Sequence, residues 1–498
     1  MNNEFQSTRW GQFISLITVF FFWGFVAASN DILIPVFKEA FGLTQGQSQL
    51  VSVAFYVAYT VGSIIYMVIS LAIGKDLINK IGYKNALIIG LVISALGTIL
   101  FYPAANTESF PLMLSGLFIV GLGFSLQQTV ANPLAIAMGS VHTGSQRLTL
   151  AGGINNFGTT IGPLIVTFAI FGSATGSNTD ASIESVKVPY LCLGLAFILV
   201  AVFLKFSKVP NKPQIEEAVE EVEESGIEPI SHPESAVETK TPLNLSRKSA
   251  LYYPQLVLGM LAIFIYVGVE VSTASNLPAY MEKGLGFAVK DVAPYISLYW
   301  ASLMIGRWSG AVEAFNLKKS KERIVKIIAP YLAFGVFLLV NAIAGHDLGP
   351  FYIYAAIILV LIIADYMSRG NPARMLLVFS FLGILATGIG MATSGMVSVY
   401  AFTSVGLFCS TLWPCIFTLA VAGLGKHTSQ GSSFLIMMIM GGGIISWVQG
   451  TIADLTTIHF SYIVGILCFA YLAFYAWKVK GILQSQGIDF DQKVNGGH

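Results

Sequence analysis

The 498-residue chain is 55% hydrophobic and only 11% charged, with a mean hydropathy of +0.73, against roughly 25% charged in ordinary soluble domains. That excludes a soluble protein. It also leaves enough apolar residues for about a dozen bilayer-crossing helices of roughly 20 residues each, which excludes a single-anchor enzyme or receptor. The 27 Lys and Arg against 26 Asp and Glu give a net charge of +1, too balanced to recruit nucleic acid or an anionic surface.

In chain order, the first apolar run covers about 12–36 and contains Asp31 in FFFWGFVAASNDILIP. It lacks a small-residue cleavage site and leads into further spans, so it reads as a retained helix rather than a signal peptide. Runs at about 48–73, 84–104, 110–138, 148–172 and 187–206 complete six helices, assigned to an N-terminal bundle, 1–206. The fourth run carries Gln127, Gln128 and Asn132, and the fifth carries Asn155 and Asn156. Residues 207–250 follow as a cytoplasmic linker, because prolines at 210, 213, 229, 233 and 242 and the acidic run IEEAVEEVEES leave too little apolar content for a core.

The apolar pattern resumes at about 252–281, 292–314, 325–345, 350–366, 373–394, 397–424, 431–453 and 460–479, within a C-terminal bundle assigned to 251–480 and followed by a cytoplasmic tail, 481–498. Tyr266, Glu270 and Asn276 lie in the first of these runs, and Trp413 lies in the sixth. By the sequence pattern Pro35 and Pro278 close matching first helices, while NPLAIA and WPCIFT share a proline in a late helix of each half. Pairing those motifs makes 325–366 an inserted helical hairpin, and parallel halves of this kind place substrate between them at the midplane. If every run crosses, the segments on the inner side hold 22 of the 27 cations, the outer loops hold Lys38, Lys187, Lys283 and Lys290, and Arg307 is left within a helix. Both termini are then cytoplasmic by the positive-inside rule.

Asp31 and Glu270 are carboxyls inside apolar helices, where a charge costs roughly 2.5 to 3.5 kcal/mol on insertion scales, so each needs a partner, water or a proton. Asp31 is the first choice for cation coupling. The same acid serves proton exchange or holds a sodium ion, and the residues do not separate these chemistries. The amides Gln127, Gln128, Asn132, Asn155, Asn156 and Asn276 offer donors and acceptors without charge, suited either to a hydroxyl-rich ligand or to bonding between helices. Tyr266 and Trp413 are candidates to stack on a sugar ring. The four cysteines, Cys192, Cys409, Cys415 and Cys468, form no CxxC pair, and all six histidines fall in loops, at span ends or at the terminus. No metal site or cofactor is expected, and the absence of an intramembrane imidazole argues against an enzyme.

SNDILIPVF, QQTVANPLA, INNFGTTIGP and YVGVEVSTASNLP, extended by TLWPCIFTLA and QGSSFLIMMIMGGGII, resemble the sugar branch of the major facilitator superfamily, the fucose permease group with its glucose/galactose transporter relatives. NKIGYK, 79–84, is similar to the superfamily's cytoplasmic loop motif, with Asn79 where an acid is usual. The resemblance implies an all-α polytopic membrane protein with the major facilitator fold: two six-helix bundles plus the inserted pair, about 14 transmembrane helices. It implies an acid at Asp31, and it places Gln128 where fucose permease has a glutamate and Glu270 where it has a glutamine. That exchange makes the chain more similar to the glucose/galactose branch. Asn155 matches a family asparagine implicated in sugar contact.

The expectation is a transporter in the inner, or plasma, membrane that imports a hexose such as glucose, galactose or mannose by proton or sodium symport, working as a monomer. Asp31 would couple the cation, and Gln127, Gln128, Asn132, Asn155, Asn156, Tyr266, Glu270, Asn276 and Trp413 would meet the sugar. A fourteen-helix drug or metabolite exporter and a non-transporting sugar sensor are the alternatives.

Overall fold

The computed structural model describes residues 9–73, 77–138, 144–171, 186–211, 249–315, 319–368, 371–424 and 428–488. Most of the expected linker and tail lies outside them. Among the described residues twelve helices are long and apolar enough to cross a bilayer, and two more of comparable length make fourteen. In chain order α1 is Trp10–Phe41, α2 Leu50–Ile73, α3 Tyr83–Ile99, α4 Phe110–Ala137, α5 Gly144–Phe171 and α6 Lys187–Phe206. The second half holds α7 Pro254–Leu285, α8 Val289–Ala311, α9 Lys319–Ile343, α10 Tyr354–Ser368 and α11 Pro372–Ala392. It ends with α12, Gly395–Cys409 prolonged by Leu412–Val421, with α13, Thr428–Met437 prolonged by Gly441–Leu455, and with α14 Ile463–Ser485.

The two long helices that fall outside the twelve are α5 and α8. They carry Arg147, Asn155 and Asn156, and Lys290, Asp291 and Arg307, respectively. A helix this polar is stable in a bilayer only with its polar stripe turned to protein or water, and these two pack along each other across the two halves. Arg147 is fully buried and donates from Nε to Ala135 O at 3.1 Å, tying the start of α5 to α4.

Pro35 and Pro278 do not close their helices, contrary to the sequence expectation. Each is carried inside a 32-residue helix, α1 and α7, which ends at Gly42 (φ 60°) and Gly286 (φ 75°). A proline removes one backbone bond and can be tolerated in a spanning helix, whereas the left-handed φ that turns the chain away favours glycine. The matching glycine stops support the internal repeat better than the prolines do.

Within the first half, α1 meets α5 at backbone distance: a Cβ on Gly24 would lie 1.9 Å from Asn155 O, and one on Gly158 would lie 2.2 Å from Phe21 O. Small residues at a crossing are how membrane helices gain close packing without a hydrophobic driving force. The inserted pair packs on the second half, where Tyr354 of α10 shares a 2.7 Å hydrogen bond with Ser302 of α8, while α9 turns Ile324, Ile328, Leu332 and Leu339 outward. Two seams join the halves, α5 with α8 and α2 with α13.

Candidate functional site

Glu270 lies near the middle of α7, with Tyr266 one turn before it, and residues four apart share a helix face. The Trp413 ring, on the second part of α12, stands 6.1 Å from Tyr266 at an angle of 56°. Tyr299 of α8 donates its hydroxyl to Glu270 O at 2.7 Å, pinning α8 to α7 at this level. The Arg307 guanidinium of α8 lies close enough to Glu270 for their charges to interact, and the neutral Cys409 thiol of α12 lies near the same carboxyl. The Tyr266 hydroxyl is buried beside that carboxyl and makes no hydrogen bond of good geometry.

Arg307 reaches across to the first half, where its Nη1 donates to Asn156 Oδ1 at 2.8 Å. A guanidinium is always protonated and donates through a planar fork, so one residue can serve an acid and an amide together. The same seam continues toward the midplane, where Ser297 Oγ donates to Thr160 O at 2.6 Å. Asn155, beside Asn156, is half-buried and donates from Nδ2 to Phe20 O of α1 at 2.9 Å.

On α4, Gln127 and Gln128 point in different directions. Gln127 is fully buried inside the first half, accepting from Trp23 Nε1 at 3.0 Å and donating to Ser94 Oγ at 3.1 Å. Both ends of its amide serve the packing of α1, α3 and α4. Gln128 is half-buried and donates to the Tyr59 hydroxyl at 3.2 Å. Tyr59 stacks on Tyr56, whose ring in turn approaches Gly442 of α13, so Gln128 stands near the seam between halves. Asn132, one turn further along α4, is half-buried and has no hydrogen bond to a described residue.

Asn276 belongs to a different structure, a polar closure at the end of the molecule opposite the termini. It is fully buried, donates to Ser272 O at 2.9 Å and accepts from Gln45 Nε2 at 3.0 Å. Gln45 also accepts from Lys38 Nζ. The Asp454 carboxylate, at the end of α13, accepts from the backbone N–H of Gln45 at 2.8 Å and of Gly46 at 2.6 Å. Gln49 Nε2 adds a bond to Ser275 O at 3.3 Å. Deeper in this seam Thr60 Oγ1 donates to Met437 O at 2.6 Å, and a Cβ on Gly443 would lie 2.7 Å from Val53 Cα. In this structure Asn276 is engaged in holding the halves together.

Asp31 is carried on α1 nearer the end opposite the termini, but its side chain lies outside the described residues. Arg307 is the residue that the sequence reading passed over. It was noted as the one cation inside a helix but was not weighed as a site, although the argument applied to Asp31 and Glu270 covers any intramembrane charge. Among the described residues no group of three or more His, Cys, Asp or Glu could hold a metal ion.

Residues 13–362 match the family model of the Major Facilitator Superfamily. The chain is 32% identical over 463 residues to the glucose/galactose transporter of Brucella abortus, covering 93% of this chain and 92% of that protein. It is 28% identical over 481 residues to the L-fucose-proton symporter of Escherichia coli, with 93% and 92% covered. The crystal structure of the major facilitator superfamily transporter FucP in the outward conformation superposes with a TM-score of 0.60 at 26% identity, covering 94% of this chain and 98% of that one.

Proposed function

The chain belongs to the major facilitator superfamily of membrane transporters, and from that premise we propose that it imports a hexose, such as glucose, galactose or mannose, by cation symport through alternating access. The observation that carries this reading is the Glu270–Arg307–Asn156 series, which runs from a carboxyl in one half to an amide in the other beside the Tyr266–Trp413 aromatic pair. The relatives, a glucose/galactose transporter and an L-fucose-proton symporter, favour a sugar over a drug-like ligand and a proton over sodium.

In this reading Trp413 and Tyr266 take the C–H face of the ring. Glu270, Asn155, Asn156, Gln128 and Asn132 take its hydroxyls, and a charged acceptor makes the strongest of those bonds. A hydroxyl bound to Glu270 competes for the group that Arg307 also serves, so occupancy changes how firmly α8 holds α5. A ligand shifts a two-state protein only through such a differential contact. Asp31 carries the coupling proton, and rocking of one half against the other exposes the site to each side in turn. In this reading the protein sits in the plasma membrane with both termini in the cytoplasm, an orientation that the positive-inside count favours.

The test is uptake of radiolabelled glucose, galactose, mannose, fructose and fucose into proteoliposomes under an imposed proton gradient, a sodium gradient or neither. Accumulation of an aldohexose above its external concentration under the proton gradient is expected. Absence of hexose uptake under every gradient would overturn the reading and favour export of another metabolite.

A further inference from the structure

A cavity of about 190 Å³ opens on the termini side of the second half, between α5, α8, α10, α11 and α12. One water occupies ~30 Å³ in the liquid, so the space is sized for a small polyol rather than for an ion. Its wall includes Arg307 and Thr149 from the seam between the halves, Thr411 and Pro414 from α12, and Leu361 and Asp365 from α10, the second helix of the inserted hairpin. Two features tie it to the path of a ligand leaving the midplane. Arg307 is shared with the Glu270 series, and Pro414 follows Trp413 directly in the chain.

Leu361 Cδ1 would lie 3.6 Å from a Cβ on Gly306. Asp365, four residues on, therefore stands about 6 Å further toward the termini side at 1.5 Å per residue. Asp365 is also near enough to Cys415 of α12 for its charge to act there. The Thr411 hydroxyl in the same wall is buried and has no hydrogen-bond partner. Native proteins seldom leave such a group unmade unless something transient completes it. The wall thus offers a guanidinium donor and a carboxylate acceptor, with the unpartnered Thr411 hydroxyl buried just behind its surface, among the apolar surfaces of Leu361, Pro414 and Phe379.

We propose that this cavity is a second hexose subsite on the cytoplasmic side, with one wall supplied by the inserted hairpin through Asp365 and Leu361. The proposal rests on the hexose-transport reading. It gives the hairpin a role in release, since a sugar leaving Glu270 finds Arg307 again, together with Asp365 and Thr411, before it reaches the cytoplasm. Because the hairpin packs on α8, α11 and α12, this wall moves with the second half.

The test compares entry from the two sides, using right-side-out vesicles and inverted membrane vesicles that contain the full chain, with a transported hexose as probe. The variants are Asp365→Asn and Thr411→Val, the second of which removes an unpartnered hydroxyl and so spares the fold. For each, the KM measured from the cytoplasmic side is expected to rise about fivefold to tenfold, the scale of one lost polar contact, with the outer-side KM within about twofold of wild type. An unchanged cytoplasmic-side KM in both variants, or an equal change on both sides, would overturn the subsite while leaving hexose transport in place. Wild-type vesicles that carry no hexose in either direction would overturn the transport reading and the subsite with it.

Discussion

The two seams that join the halves are built from different chemistry. The α2–α13 seam closes mostly on neutral groups and backbone, with Gly443 allowing contact at backbone distance and its charges, the Asp454 carboxylate on two backbone N–H groups and the Lys38 ammonium on Gln45, kept to its outer edge. The α5–α8 seam instead contains a guanidinium bonded to the Asn156 amide and within charge range of the Glu270 carboxyl, on the two helices too polar to count among the apolar spans. Hydrogen bonds exchanged with water contribute only about 0.5 to 1.5 kcal/mol each, so a seam made of them can open and close within a transport cycle. A buried charge left without its partner costs ~3 to 5 kcal/mol, so the other seam responds to whatever binds that partner. On the proposed transport reading, one seam is a gate and the other senses the ligand.

Arg307→Met should break the sensing seam and give the largest effect. With Glu270 uncompensated, hexose uptake is expected to fall at least about a hundredfold, in line with ~3 kcal/mol or more. Initial rates normalised to protein in the membrane would show it, and a rate within tenfold of wild type would refute the sensing role.

Asp454→Asn should act on the gate alone. It replaces a charge-assisted acceptor with a neutral one and is expected to favour the outward-open state by about tenfold. Labelling of Ser275→Cys by a membrane-impermeant maleimide would rise accordingly, since Ser275 is buried in the closed seam. Unchanged labelling would mean that Asp454 does not hold the gate.

Gln127→Leu sharpens the comparison from within one half. Leaving Trp23 Nε1 and Ser94 without their partner should lower stability by ~1 to 3 kcal/mol, seen as a lower Tm in detergent, while the sugar KM stays within about twofold. A KM shift without a Tm change would return Gln127 to the binding site.

The helices were legible because the bilayer demands about 20 apolar residues per crossing and leaves backbone groups no alternative partner. Even α5 and α8 could be placed, since they sit between unmistakable neighbours. The site was legible in its residue types but less so in their directions. Gln127 and Gln128 are adjacent in sequence yet about 100° apart around a helix, and only the packing of α1 and α3 shows that one faces inward. Asp454 lies one residue beyond the apolar run that ends near 453, and its role depends on the short helix Gln45–Ser48 that packs against it. Asn276 looked like Asn155 by type, and its role in closure depends on Gln45, distant in the sequence.

The most direct measurement is equilibrium binding of a transported hexose to wild type, Glu270→Gln, Arg307→Met and the double variant. If Glu270 and Arg307 meet the sugar as one unit, each single change weakens binding about tenfold or more. The double change then weakens it little further, which is an interaction energy of ~1 kcal/mol or more. Losses that simply multiply in the double variant would contradict the central claim that these two residues serve the ligand together.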